Sequence, residues 1–256
     1  MNKTRISAVL ITYNEQANIV RTLESLEWCD EIVVVDSGST DNTVGLCEQR
    51  GCRVMYHAFS GFGEQKRFAV RQAMHDWILS VDADEVITCE LRDEIVGIFN
   101  RGEIDCAGFY LPRTLVFMGR VFRHGNENKH GFLRLFDRRS GGFTDVLVHE
   151  AVEMEGKTRR LQGAMLHYSY RDIEQYFTKF NRYTSMAARQ LHAKGRSTNR
   201  ALIVLRFPIT FFQTYILKAN FLNGFPGFVW SLFCGIYPVV KYLKLYELIS
   251  RPHRTR

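Results

Sequence analysis

The first hundred residues alternate between two apolar patterns. Residues 6–11, 31–36, 52–56 and 77–81 are short, nearly continuous apolar runs rich in Val and Ile. Such runs predict strands buried on both faces of a sheet. Between them, Ile19, Leu23 and Leu26 recur at helical spacing, and residues 43–50 read as a helix with Asp41 placed to cap it. Residues 62–75 and 91–100 follow as further helices. Strand alternating with helix at this rhythm predicts a parallel, doubly wound α/β sheet with helices on both faces. After residue 105 the pattern changes. Residues 107–111, 115–121, 132–137 and 143–148 are short, aromatic and separated by polar turns, which predicts additional mixed or antiparallel strands. Residues 172–192 then set Ile173, Tyr176, Phe177, Phe180, Tyr183 and Thr184 along one side of an amphipathic helix.

The last segment differs again. Between Lys218 and Lys241 lie 22 residues without a charge, long enough for a membrane span. Asn220, Asn223, Gly224, Pro226, Gly227, Gly235 and Pro238 interrupt that run, and Arg206 and Pro208 interrupt the one before it. Amphipathic helices lying in a headgroup layer are therefore expected rather than a span.

Charge sharpens this division. The chain has 256 residues and a net charge of +7. Residues 1–156 carry 17 basic and 24 acidic side chains, a balance of −7, and residues 157–256 carry 17 basic and 3 acidic, a balance of +14. One half is thus suited to an anionic partner. At 46% hydrophobic and 13% aromatic residues the chain can build a core, which excludes disorder. The six cysteines form no C-x-x-C pair, so neither a zinc cage nor a disulfide framework is expected. The first apolar run is too short for a signal peptide, which makes a cytoplasmic location the expectation.

In an open parallel sheet ligands bind beyond the carboxyl ends of the strands. There the sequence places Thr12-Tyr13-Asn14-Glu15 after the first strand, Asp36-Ser37-Gly38-Ser39-Thr40-Asp41 after the second and Asp82-Ala83-Asp84-Glu85 after the fourth. An acidic side chain such as Asp36 can accept from a base N–H or a sugar hydroxyl, and Gly38 permits a tight turn. Asp82 and Asp84, on one side of an extended segment, form a hard-oxygen site for Mg²⁺ or Mn²⁺, ions usually held by one or two carboxylates and substrate phosphates. Gln65, Lys66 and Arg67 open a helix suited to holding phosphate or nucleoside. G-x-G-x-x-G and G-x-x-x-x-G-K-[ST] are both missing, which argues against dinucleotide or P-loop nucleotide binding.

Together AVLITYNE (8–15), IVVVDSGSTDNT (32–43), Gln65 to Arg67 and WILSVDADE (77–85) resemble the family 2 glycosyltransferases. That resemblance implies the GT-A (nucleotide-diphospho-sugar transferase) fold, a nucleotide-diphosphate sugar donor and usually inversion at the anomeric carbon. By the same likeness Thr12, Tyr13, Glu15 and Asp36 contact the nucleoside, with Gln65 and Lys66 near them, and Asp82 and Asp84 serve the ribose, diphosphate and metal. FTDVLVHE (143–150), HYSY (167–170) and residues 176–183 resemble the narrower group of lipopolysaccharide inner-core heptose β-1,4-glucosyltransferases. The implied reaction moves a hexose, glucose from UDP-glucose foremost, onto an inner-core heptose.

An inverting transfer needs a carboxylate to take the acceptor's proton. Many family 2 members carry an E-D pair or a lone Asp in the middle of the chain and some add Q-x-x-R-W; this sequence has neither the pair nor Q-x-x-R-W, and in the corresponding stretch the resemblance offers Asp145, slightly preferred, and Glu150. His149 is a candidate to orient a carboxylate or touch phosphate, and His167 a candidate metal or diphosphate contact. The expected organisation is a catalytic domain over residues 1–170, with a nucleotide-sugar half (1–105) and an acceptor half (106–170), and a basic helical region over 171–256. That region would hold the protein at the anionic cytoplasmic face of an inner membrane. Two alternatives stay open: a polyprenyl-phosphate sugar transferase of the same fold, and a non-catalytic membrane-surface nucleotide-binding protein. Nothing accompanies the basic residues that would read nucleic acid, so none is expected as a partner.

Overall fold

The computed structural model describes residues 4–102, 104–127, 131–144 and 151–250. The chain divides into two compact units, Met1–Leu115 with Lys129–Tyr168, and Val116–Asn128 with Ser169–Arg256.

The first unit begins with the anticipated alternation. In order come β1 (Ile6–Thr12), α1 (Ile19–Glu24), β2 (Glu31–Asp36), α2 (Thr43–Gln49), β3 (Arg53–Tyr56), α3 (Phe62–Gln72), β4 (Trp77–Asp82), β5 (Glu85–Ile87) and α4 (Cys89–Arg101). After them run β6 (Gly108–Phe117), β7 (Arg120–Val121), β8 (Gly131–Asp137), β9 (Gly141–Phe143), β10 (Val152–Met154), β11 (Thr158–Arg160) and β12 (Met165–His167). The sheet runs in the order β3-β2-β1-β4-β8-β6-β12-β5. β3, β2, β1 and β4 are parallel, and β8 is antiparallel to both β4 and β6. β12 lies parallel to β6 and antiparallel to β5. The expectation of a mostly parallel α/β sheet with added mixed strands is therefore met.

Side-chain alternation explains the two covered faces. Ala8 and Leu10 of β1 join Leu79 of β4 and Ile19, Leu23, Leu91, Ile95 and Phe99 in one core, under α1, α2 and α4. Val9, Val33, Val35 and Ile78 point the other way, toward Ala69 of α3 and its C-cap Ala73, and toward Phe143, Val152 and Met154 of the β9–β10 pair. A strand flanked on both sides has no polar positions to spare, hence the unbroken apolar runs. Two boundaries differ from expectation. Residues 107–121 form one ten-residue strand and a two-residue return rather than two separate strands. Met118 and Gly119, both at positive φ, make the turn between them. Of the run expected at 143–148, Phe143 ends β9 and residues 145–150 lie outside the described residues. All six cysteines are free thiols.

The second unit is helical, with α5 (Ile173–Ala193), α6 (Arg200–Phe212) and α7 (Phe225–Ser250). Asp172 caps α5 by accepting from the Gln175 amide at 2.7 Å, and Tyr176, Phe180, Thr184 and Ala188 form its buried stripe. Phe117, Phe122, Tyr176, Trp230 and Phe233 pack as an aromatic cluster, with the Trp230 indole donating to Glu127 at 2.8 Å. The Lys244 ammonium fastens α7 to α5, donating to the Asn181 and Ser185 side chains at 2.6 and 2.8 Å.

The uncharged stretch is less broken than its glycines and prolines imply. α6 continues through a π-turn (Gln213–Leu217), the chain reverses at Ala219 with φ +57, and α7 then runs unbroken through Gly235 and Pro238. Pro226 sits in the first turn, where its missing N–H costs nothing. Gly235 is where α6 approaches closely, since a Cβ there would lie 3.0 Å from the Phe207 ring. Residues 200–217 and 225–250 are each long and apolar enough, by length and composition, to cross a membrane.

Candidate active site at the carboxyl rim of the sheet

β1, β2 and β4 end side by side. In the ladders Thr12 is level with Asp36, and Ile11 is level with Asp82. The loops after these strands are therefore neighbours by construction.

The loops after β1 and β2 are laced together. Asn14 adopts φ +54, a left-handed conformation that Asn tolerates. From there its amide donates to the Ser39 hydroxyl at 2.9 Å and its side-chain oxygen accepts from the Thr40 amide at 2.8 Å. The Glu15 amide donates to Thr43 Oγ1 at 2.9 Å, and Asp41 accepts from the Thr43 amide at 3.0 Å. Asp41 thus serves the start of α2 from one residue ahead of the N-cap, Asn42, rather than as the cap itself. Asp36 is buried, and its Oδ2 accepts from the Gly38 and Ser39 amides at 2.8 Å each. Its carboxylate shapes the turn, with Gly38 at φ +96, and is directed at its own loop. Gln65 donates to the Ser37 hydroxyl and the His57 carbonyl at 2.7 and 2.8 Å, tying the start of α3 to the same loop. Tyr13 stands 58% exposed over the rim. The buried Thr12 hydroxyl has no hydrogen-bond partner among the described residues, and buried polar groups are normally satisfied by protein, ligand or water.

The end of β4 is charged. Strand geometry stops at Asp82, and Ala83 and Asp84 form a turn, so the two carboxylates do not share one extended segment. This corrects the expectation that alternation aims them together. Asp82 Oδ1 meets Lys66 Nζ at 2.9 Å and Oδ2 meets Arg134 Nη2 at 2.7 Å. Burial pushes its carboxyl up, but the Arg134 and Lys66 charges outweigh that and hold it well below the usual carboxylate range. Behind it Glu85, fully buried, accepts from the Asp82 amide at 2.9 Å, from Arg134 at 3.2 Å and from Arg113 at 3.4 Å.

Asp84 has a different partner. β12 pairs with β5 so that His167 is level with Glu85, and His167 Nε2 lies 3.3 Å from Asp84 Oδ2. The Tyr168 amide donates to the Asp84 carbonyl at 2.9 Å. Tyr168 also lies under the Arg21 guanidinium, 4.2 Å from the ring centre. Arg21 donates to Asn18, and Asn18 to the Glu15 carboxylate, at 2.7 and 2.8 Å. Asp84 and His167 each keep about a fifth of their side-chain surface open. No group of three or more His, Cys, Asp or Glu capable of holding a metal occurs among the described residues. An open carboxylate–imidazole pair suits a divalent ion that takes its other ligands from phosphate and water.

The structure thus gathers Thr12, Tyr13, Glu15, Asp36, Gln65, Lys66, Asp82, Asp84 and His167 in one unit. Asp145, His149 and Glu150 lie outside the described residues. Sequence reasoning missed Arg113 and Arg134, and placed Asn14 in the first rim cluster without giving it a role of its own. Arg134 carries a visible signal, being a lone cation inside the apolar run FLRLFD.

The family model of glycosyl transferase family 2 matches residues 7–190. The chain belongs to that family. This family 2 glycosyltransferase is 34% identical to an uncharacterized glycosyltransferase of Rickettsia felis, over 95% of this chain and 89% of that one. It is 29% identical to the lipopolysaccharide core biosynthesis glycosyltransferase LpsC of Rhizobium meliloti, over 98% and 96% of the two chains. Among solved structures, TarS of S. aureus is similar at a TM-score of 0.47 and 16% identity, covering 92% of this chain and 49% of that one. The glycosyltransferase is an enzyme, and its α/β architecture agrees with the GT-A fold that the sequence motifs imply.

Proposed function

We propose that this glycosyltransferase moves a hexose, glucose from UDP-glucose foremost, onto a lipopolysaccharide inner-core heptose with inversion. The observation that carries the reading is the open Asp84–His167 pair beside the laced loops after β1 and β2. These loops would receive the nucleoside against Thr12, Tyr13 and Glu15. Lys66 and Arg134, anchored by Asp82, hold fixed positive charge beside the diphosphate position. Asp84 and His167 would hold Mg²⁺ or Mn²⁺, which neutralises charge building on a leaving diphosphate. The proton of the acceptor hydroxyl passes to a carboxylate, Asp145 or Glu150, as its oxygen bonds to the anomeric carbon and the bond to UDP breaks. Similarity to LpsC along nearly the whole chain supports the acceptor class. The test is a screen of nucleotide sugars against truncated core oligosaccharides, with and without Mn²⁺. UDP release and a β-linked hexosyl-heptose are expected from UDP-glucose. Transfer only to polyprenyl phosphate would replace this reading with the lipid-phosphate one.

The second unit supplies the proposed membrane contact. Leu202, Leu205, Ile209, Phe212 and Ile216 are all exposed and recur every three or four residues, an apolar stripe along α6 and its π-turn. Arg200 and Arg206 stack on Tyr246 and Tyr242, the latter pair 3.7 Å apart, and Lys218 and Lys241 lie nearby in sequence. An apolar stripe among cations suits the anionic cytoplasmic face of an inner membrane. Ile209→Glu is expected to weaken binding to phosphatidylglycerol-containing vesicles about 10–100-fold, since each large aliphatic side chain contributes roughly 1.5–3 kcal/mol when buried. Unchanged co-sedimentation would remove α6 from the contact.

A further inference from the structure

We propose that the cavity between β4, β6 and β8 is a subsite for an anionic substituent, phosphate or carboxylate, on the acceptor saccharide, with Arg113 as its recognising group. This rests on the glycosyl-transfer reading above and deepens it.

The cavity has a volume of about 460 Å³, large enough for a small ligand. Lys66, Arg113 and Arg134 line it together with Asp82, and Tyr110, Phe132 and Phe143 form aromatic walls. Lys66 and Arg134 are committed to Asp82 at 2.9 and 2.7 Å. Arg113 is not. It makes one long contact, 3.4 Å through Nη1 to the buried Glu85, and its guanidinium carbon lies 4.0 Å from the centre of the Phe132 ring. The guanidinium lies over that ring, and its other N–H groups have no hydrogen-bond partner among the described residues. A fork of donors held in one plane and 29% exposed is the arrangement that takes phosphate or carboxylate by two parallel hydrogen bonds.

Lys66, Asp82 and Arg134 border both this cavity and the proposed diphosphate position, and Arg113 is the cation that stands apart from the nucleoside loops. The nucleoside loops follow β1 and β2, whereas Arg113 and Phe132 stand on β6 and β8, across β4 in the strand order. Asp82 ends β4, so an acceptor held by Arg113 would approach the donor's sugar from the far side of that strand.

The experiment is calorimetric titration of inorganic phosphate, and separately of acetate, into the full chain saturated with UDP and Mg²⁺. Binding is expected to persist with UDP present and to weaken at least tenfold in Arg113→Gln, with Arg113→Lys intermediate because it keeps charge but loses the fork. Whether phosphate or acetate binds more tightly identifies the substituent. Displacement of phosphate by UDP, equal affinity in a folded Arg113→Gln, or no binding of either anion at millimolar concentration overturns the proposal. A second arm compares core oligosaccharide before and after removal of its phosphates. The wild type is expected to prefer the charged form when phosphate is the better ligand, and Arg113→Gln to lose that preference. Anion binding that survives a failure of UDP-glucose transfer would overturn the donor assignment and leave the subsite standing.

Discussion

Replacing Asp84 by alanine is expected to lower sugar transfer by about 10²–10³-fold, the scale of losing one fixed electrostatic contact to developing charge, while the protein stays folded. The two halves of this expectation come from different atoms. The Asp84 carbonyl holds β12 in place through the Tyr168 amide, and alanine keeps that bond. The carboxylate meets His167 at 3.3 Å in a partly open setting, where even a charged contact contributes about 1 kcal/mol or less. Stability should therefore move little, and activity should move greatly because the carboxylate is the one oxygen donor of the pair. Asp84→Asn separates shape from charge and should be nearly as inactive. The measurement is UDP release at saturating donor, paired with calorimetric UDP binding with and without Mn²⁺. Wild-type protein should bind UDP more tightly with the metal, and Asp84→Ala should lose that enhancement. A variant retaining full activity, or the same metal enhancement, would show that Asp84 does not hold a cation.

The reasons for legibility differ from residue to residue. β1, β2 and β4 were readable because burial on both faces forces unbroken apolar runs, and once they were placed the rim loops followed by topology. The pairing of Asp84 with His167 depends on β12 reaching β5 from more than 75 residues away. No local pattern encodes that, so the sequence could offer His167 only through a resemblance. Asp36 shows a use that its residue type and position do not single out: a carboxylate two residues before a glycine turn is well suited to binding the turn's own amides. Arg113 stayed invisible because the role proposed for it rests on a cross-strand ring, Phe132, and a buried partner, Glu85. Pro238, inside α7, misled for the opposite reason. Propensity argued for a break, and close packing against α5 and α6 outweighed it.

The largest effect on stability is expected at Glu85, which the motif reading passed over as the trailing residue of the acidic cluster. Glu85 is fully buried and gathers three donors, the Asp82 amide, Arg134 and Arg113. Glu85→Ala leaves the Arg134 guanidinium, itself 7% exposed, with one fewer counter-charge, and leaves the Asp82 amide without its acceptor. Removing one partner of a buried ion pair costs about 3–5 kcal/mol, so the urea midpoint should fall steeply with the slope little changed. Shape is not the cause if Glu85→Gln, which keeps an acceptor for the amide, recovers only part of the loss. The decisive comparison adds Arg134→Met. A buried ion pair replaced as a whole by apolar side chains is often neutral in stability. Glu85→Leu with Arg134→Met should therefore be more stable than Glu85→Leu alone. The same double variant should remain inactive, because Asp82 then keeps only Lys66 of its two cations. Additive losses from the two substitutions would mean that Glu85 and Arg134 are not coupled, and recovered activity in the double variant would remove Arg134 from the site.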